Sequence, residues 1–339
     1  MNWWLPHNFE KKKPYLELRA RAVKAIRAFF DDQDFWEVET PALQIMPCAD
    51  MHIHGFETKY FGPDLKQRQT FYLHTSPEFE MKKLLVAGCP KIYQLCHVFR
   101  NGEDTKLHSP EFTMLEWYQT GCDYNDIAFA CEGLVRAVCA AVDVQTLQVR
   151  GKSCDPFEDW EYLTVAQAFD RYANIDLESV LEDKDAFAKA AQSQGIRTAG
   201  SDNWDDIFHA VMAEKIEPHL GQGAPTILID YPVSMACLSK KKGDNPNFAE
   251  RFELYLCGVE IANAFSELTH AAEQRKRFEE EMAAKEQHYG FRYPIDEDFL
   301  SALEHGMPEA GGIALGVDRL IMLLCGAENI ADVLWTGRP

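Results

Sequence analysis

The sequence predicts an α+β domain, and three stretches carry that prediction. Residues 99–118, FRNGEDTKLHSPEFTMLEWY, read as two strands joined by a polar loop. Residues 251–265, RFELYLCGVEIANAF, read as a hairpin with Gly258 in its turn. Residues 311–324, GGIALGVDRLIMLL, read as a strand that turns sharply into a helix.

The remaining elements follow in chain order. Residues 15–30 form a helix with Leu16, Val23, Ile26 and Phe30 on one stripe. A DDQD turn leads into WEVETP, where Trp36, Val38 and Thr40 alternate with Glu37 and Glu39 and Pro41 ends the strand. Residues 76–87 suggest a short helix with Ser76 as N-cap, Pro77 at N1 and Glu78 in the first turn. From about 145 to 222, acidic helical stretches separated by GIRTAGSDN read as a helical insertion within a single domain spanning 1–339. Strand character resumes at PTILIDYPV, 225–233, and SKKKGDN, 239–245, reads as a solvated loop.

With 46% hydrophobic residues, the 339-residue chain can bury a large core. The start MNWWLPHNFEKKK has no continuous apolar run after a basic segment, so no signal peptide is expected. No stretch approaches the ~20 apolar residues of a membrane span. The ten cysteines are scattered and lack any CxxC pair, which predicts reduced core thiols and a cytoplasmic protein. Asp plus Glu total 54 against 34 Lys plus Arg, a formal charge of −20. Such a chain is poorly suited to wrapping nucleic acid and better suited to attracting a basic protein surface.

Strand period makes the first stretch informative. Phe112, Met114, Glu116 and Tyr118 share a face. Phe112 then lies about 13 Å from Glu116 and about 20 Å from Tyr118 at roughly 3.3 Å per residue. That span suits an aminoacyl adenylate, with the ring on adenine and Glu116 and the Tyr118 hydroxyl on a distant amine. An inward Glu116 needs a partner. Arg100, on a strand face with Val98, Cys96 and Gln94, is expected to be buried and to meet an anion. Arg319 enters a helix just after Gly316, adding to its positive end. If Leu256 pairs with Val259, Glu253 and Glu260 lie diagonally on one face, where they can share a magnesium ion. Asn263, Phe265 and Glu267 have the opposite parity from Glu260, so reaching the same pocket requires a bulge near Ala262. GGIALG is not the GxGxxG fingerprint, which rejects a dinucleotide-binding fold.

These residues bring a family into view. The chain resembles the class II aminoacyl-tRNA synthetase catalytic core, within it the lysine subgroup. RAVKAIRAFFDDQDFWEVETPAL (21–43) is similar to motif 1, FRN…HSPEFTMLEWY to motif 2 and GIALGVDRL (312–320) to motif 3. TSPEFEMKKLLVAG (75–88) and GVEIANAFSELT (258–269) are similar to the truncated paralogues that modify elongation factor P. The resemblance implies a mostly antiparallel sheet flanked by helices, and a homodimer formed through motif 1. It implies ATP held by Arg100, Asn101, Gly102, Glu103, His108, Ser109, Phe112, Glu260, Ile261, Gly316 and Arg319. Of these Arg100 is catalytic at the α-phosphate, Arg319 is catalytic at the γ-phosphate, and Glu253 and Glu260 hold Mg2+. Ser76, Pro77, Glu78, Glu116, Tyr118, Asn263, Phe265, Glu267 and Ala314 would hold the amino acid.

Two departures from the family stand out. Gly102, followed by Glu103, occupies the place of a Glu that normally helps read adenine. Ser109 stands where Asn is usual. Ala314 replaces a Gly usual in the tRNA-charging relatives, and its methyl would crowd an α-amino group while leaving room for a β-amino group. Motif 1 begins near residue 19, so no anticodon-reading domain and no stable tRNA binding are expected. The resemblance thus implies activation of (R)-β-lysine or lysine and transfer to elongation factor P. A minimal tRNA-charging synthetase and a catalytically silent dimeric paralogue are the alternatives.

Overall fold

The structure is a computed structural model that describes residues 2–336. Along the chain run α1 (Pro6–Asp31), β1 (Trp36–Glu37), β2 (Leu43–Gln44), β3 (Phe56–Phe61), β4 (Gln67–Leu73), α2 (Glu78–Val86), β5 (Lys91–Phe99) and β6 (Glu111–Thr120). Next come α3 (Tyr124–Ala141), β7 (Leu147–Val149), β8 (Lys152–Cys154), β9 (Glu161–Thr164), α4 (Val165–Ala168), α5 (Lys184–Ser193) and α6 (Trp204–Val211). The chain closes with β10 (Thr226–Pro232), β11 (Phe248–Leu256), β12 (Val259–Ser266), α7 (Ala271–Tyr289), α8 (Glu297–Gly306), β13 (Ala310–Gly316) and α9 (Val317–Cys325).

Eight strands form one sheet in the order β1-β5-β6-β13-β12-β11-β10-β9. Its six central strands are antiparallel, and only the edge pairs β1–β5 and β9–β10 are parallel. Alternation gives the sheet two chemistries. Leu115 and Trp117 of β6, Ala262 and Ala264 of β12, and Ile313 and Leu315 of β13 face a core shared with α1, α3 and α9. Phe30 stacks on Tyr93 at 4.6 Å between ring centroids and lies 5.2 Å from Trp117. The intervening residues face the other way and line a cavity. Fully buried Arg19 of α1 pairs with Asp318 at the start of α9 and donates to Thr113 Oγ1 at 2.8 Å. Asp318 also accepts the Thr113 N–H at 2.8 Å, tying α1, α9 and β6 together beneath Arg319.

Several expectations are corrected. The first helix starts at Pro6, not near 15, because Pro6 sits at N1 and Pro14, with a helical φ, is carried inside. The strand expected through Thr40 is only Trp36–Glu37, with one further bond from Val38 N–H to the Tyr93 carbonyl. The second helix starts at Glu78 with Pro77 as N-cap, and the Ser76 hydroxyl still accepts the Glu78 N–H at 3.1 Å while donating to Glu116. The insertion is helical only from 165. Residues 147–154 form a hairpin and 161–164 the parallel edge strand, above a separate apolar cluster around Phe169, Phe187 and Phe208. The lysines of 239–245 are not simply solvated, since Lys240, Lys241 and Lys242 pair with Glu309, Glu273 and Asp230 at 2.7, 2.9 and 2.6 Å. The ten cysteines are free thiols, five of them buried. Among the described residues no helix is long and apolar enough to cross a membrane.

Candidate active site

One cavity of about 350 Å³ opens on the polar face of the sheet, and most of the expected site residues line it. At one end are Arg100, Glu103, His108, Ser109, Phe112, Glu260, Ile261, Gly316 and Arg319. Near the other are Ser76, Glu78, Tyr118, Asn263, Phe265, Gly312 and Ala314. Asn101 and Gly102 lie just outside, in the turn after β5, where the Asn101 N–H bonds the His54 carbonyl at 2.7 Å. Gly102 has φ +89, which disfavours any side chain there, and the turn presents Glu103 to the cavity instead.

Arg100 lies past the end of β5 and is 22% exposed, a correction to the expected burial on the strand face. Its guanidinium sits 5.3 Å from the Phe112 ring and 3.8 Å from Glu103. Arg319 is the third residue of α9 and is braced from two sides. It donates at 2.8 Å to the Glu260 carbonyl and contacts His108 Nε2 at 2.6 Å. Arginine has no acceptor, so Nε2 must accept, and the proton sits on Nδ1, facing Thr105 Oγ1 at 2.7 Å. Burial, then the Arg319 charge, lowers the His108 pKa, in keeping with a neutral ring.

The bulge required by parity is present one residue earlier than Ala262. Leu254 pairs with Ala262 but Tyr255 pairs with Glu260, leaving Ile261 as the extra residue. Glu260, Asn263 and Phe265 thereby reach the same cavity. Leu256 pairs with Val259 as expected, and Glu253 and Glu260 both line the wall. Glu253 accepts from the Tyr231 and Tyr255 hydroxyls at 2.6 and 2.7 Å and from Arg251 at 2.7 Å. Burial, then the nearby Glu260 charge, raises its pKa.

Glu116 and Glu267 stand directly behind the wall rather than on it. Glu116, fully buried, accepts from Ser76 at 2.5 Å and from the Tyr118 hydroxyl at 2.8 Å. Burial, then the Glu78 charge, pushes its pKa up to about 7 despite those two donors. Pro77 caps α2 and presents Glu78, whose carboxylate takes the Lys82 ammonium at 2.5 Å. Ala314 sits between Glu116 and Asn263 on the neighbouring strands.

Four features escaped the sequence reading. Arg251 lines the cavity, joins Asn263 at 3.1 Å to Glu253, and lies 4.4 Å over Tyr231. The periodicity of α7 hides two cations that clamp the cavity's loops. Arg277 donates to the carbonyls of Ala236 and Ser239 at 2.6 and 2.8 Å, and Lys285 to those of Met51 and Ile53 at 2.7 and 2.8 Å. Lys82 is also buried, although the i,i+4 spacing from Glu78 reads as a surface pair. Gly312 has no room for a side chain, since a Cβ there would lie 2.3 Å from Glu267 Oε1 and 2.4 Å from the Tyr118 ring. Gly312→Ala should therefore cost about 1–3 kcal/mol in stability. Chemical denaturation measures it, and an unchanged midpoint would show that the wall yields.

The cavity joins an end that carries two arginines to a carboxylate-rich end on an antiparallel sheet. The chain matches, over residues 3–337, the family described as tRNA synthetases class II (D, K and N), and it belongs to that family. It is 40% identical over 318 residues to an elongation factor P–(R)-β-lysine ligase of Pectobacterium carotovorum, covering 93% of this chain and 92% of the relative. It is 39% identical over 323 residues to the ligase of the same name from Salmonella arizonae, covering 95% and 94%.

Proposed function

We propose that the chain activates (R)-β-lysine or lysine with ATP and passes the acyl group to a lysine ε-amine of elongation factor P. The observation that carries this reading is that one cavity has Arg100 and Arg319 at one end and Glu78, backed by Glu116 and Glu267, at the other. The names of the relatives, which match 93% and 95% of this chain, support the acceptor.

In the first step a carboxylate oxygen of the amino acid bonds to the α-phosphorus and pyrophosphate leaves. Arg100 is the group placed to meet the charge that grows on the phosphoryl oxygens, and Arg319 the group placed to hold the departing end. In the second step a neutral ε-amine bonds to the acyl carbon, AMP leaves with the bonding electron pair, and the amine loses its extra proton. No covalent intermediate with the enzyme is needed, because positioning and electrostatics do the work.

Magnesium fits this cavity as an ion completed by substrate phosphates. Among the described residues no group of three or more His, Cys, Asp or Glu makes a closed cage. Magnesium is usually held by one or two carboxylates plus phosphates. Glu253 and Glu260 are two carboxylates on one wall that repel each other. They would hold the ion, which neutralises phosphate charge when bound. The homodimer is supported by Trp36 and Leu43 of motif 1, apolar side chains 64% and 47% exposed. A cytoplasmic location agrees with the ten free thiols.

Pyrophosphate exchange into ATP, dependent on lysine or β-lysine, tests the activation step. A chain that exchanges with neither is not this enzyme. Ala314 carries the choice between them. Ala314→Gly should improve use of α-lysine relative to β-lysine by about tenfold, given the ~1–3 kcal/mol attached to one methyl. The ratio of kcat/KM values in the exchange assay reads this, and a ratio that stays put removes Ala314 from the account.

A further inference from the structure

We propose that Lys82 is a built-in counter-cation of the amine end, setting its charge so that a doubly protonated diamino acid is the neutralising ligand. This rests on the reading of the cavity as a lysine-activating site. Lys82 is a positioning residue, with no contact to the reacting atoms.

Lys82 is 1% exposed, on the inner side of α2. Its ammonium lies between Glu78 of α2, at 2.5 Å, and Glu267 at the end of β12. It also lies 5.2 Å from the centre of the Phe265 ring. Glu116 and Tyr118 of β6 complete the surroundings: the tyrosine hydroxyl donates to Glu116, and both side chains are buried. Among the described residues no other lysine or arginine forms an ion pair with Glu78, Glu116 or Glu267. Three carboxylates and one ammonium leave two negative charges when all are ionised.

Such charge is costly away from water. Burial, opposed mainly by Lys82, leaves the Glu267 pKa at about 8, and that of Glu116 lies at about 7. Burial also works against the charge on Lys82, but Glu267 and Glu78 outweigh it and raise its pKa. The lysine therefore stays charged between Glu78 and Glu267, while Glu116 behind them carries a proton that a cation can displace. Two ammonium groups on one ligand satisfy the two negative charges. A single ammonium leaves one carboxylate uncompensated. Without Lys82 the pocket would take up a further proton, which the diamino acid would have to expel.

Calorimetric titration of the full-length protein with L-lysine, in buffers of different ionisation enthalpy, counts the protons released on binding. Lys82→Met should release about one proton more than wild type at pH 7. Its affinity should fall about tenfold or more, one pKa unit being a factor of ten. Raising the pH to 8.5 should restore most of that loss. In the exchange assay KM should rise in step while kcat changes less than about threefold. Glu78→Gln/Lys82→Met removes one charge of each sign, so its proton count should return to the wild-type value. If Lys82→Met does not fold, Lys82→Gln, which removes the charge but keeps a hydrogen-bonding side chain, should show the same extra proton. An unchanged proton count and KM in Lys82→Met would overturn the proposal, as would a loss confined to kcat or a double variant whose count differs from wild type. A wild type that binds no lysine would overturn the functional reading as well, a result distinct from a wild type that binds and a variant that behaves identically.

Discussion

Replacing Arg100 or Arg319 with alanine should abolish amino-acid-dependent exchange while leaving the fold intact. The reasoning is electrostatic. Both guanidinium groups line the cavity, about one fifth exposed, and each is held in place before any substrate arrives. Arg319 is braced by the Glu260 carbonyl and His108, and Arg100 lies over Phe112. A donor fixed in advance at the place where charge develops is typically worth about 10²–10³-fold in rate. A loss of that size or greater is expected for each variant. Neither side chain supports the apolar core, so melting temperatures should stay within a few degrees of wild type. Exchange that survives in both variants would remove the adenylation chemistry assigned to this cavity.

The largest stability effect is expected at Asp318, one residue before Arg319. Asp318→Ala would leave Arg19 charged and unpaired in the core and strip the Thr113 N–H of its acceptor. Breaking a buried pair by removing one partner costs about 3–5 kcal/mol. Urea denaturation should register that loss, and exchange should fall as well because the first turn of α9 carries Arg319. The double variant Arg19→Met/Asp318→Leu removes both charges and should recover much of the stability, since apolar replacements for buried pairs are often neutral. A single variant as stable as wild type would mean that α1, α9 and β6 are not joined through this pair.

Much of the site was legible because strand parity is a strong constraint. A period of two put Phe112, Met114 and Tyr118 on one face, and the structure lines the cavity with all three. The same parity demanded a bulge in β12, which is found at Ile261. Parity could not tell the wall from the layer behind it. Glu116 points the expected way but is covered, because Ser76 and Tyr118 close over it. Burial of charged helix residues was also illegible. Lys82, Arg277 and Lys285 each have spacing that suits a solvated face, and only packing reveals that they are enclosed. The helix boundaries moved for local reasons, such as Pro14 being carried within α1. The insertion's strands were too short to show a period against its acidic helices, three and four residues each.

A formal charge of −20 favours a basic protein surface over a tRNA backbone as the acceptor we propose. The most direct measurement gives the protein ATP, magnesium and radiolabelled β-lysine or lysine until the adenylate forms, then offers elongation factor P and tRNA together. The account predicts label on a lysine of elongation factor P, with the mass gain of one acyl group and transfer that weakens as salt rises. Label accumulating on tRNA, with none on the protein, would contradict it.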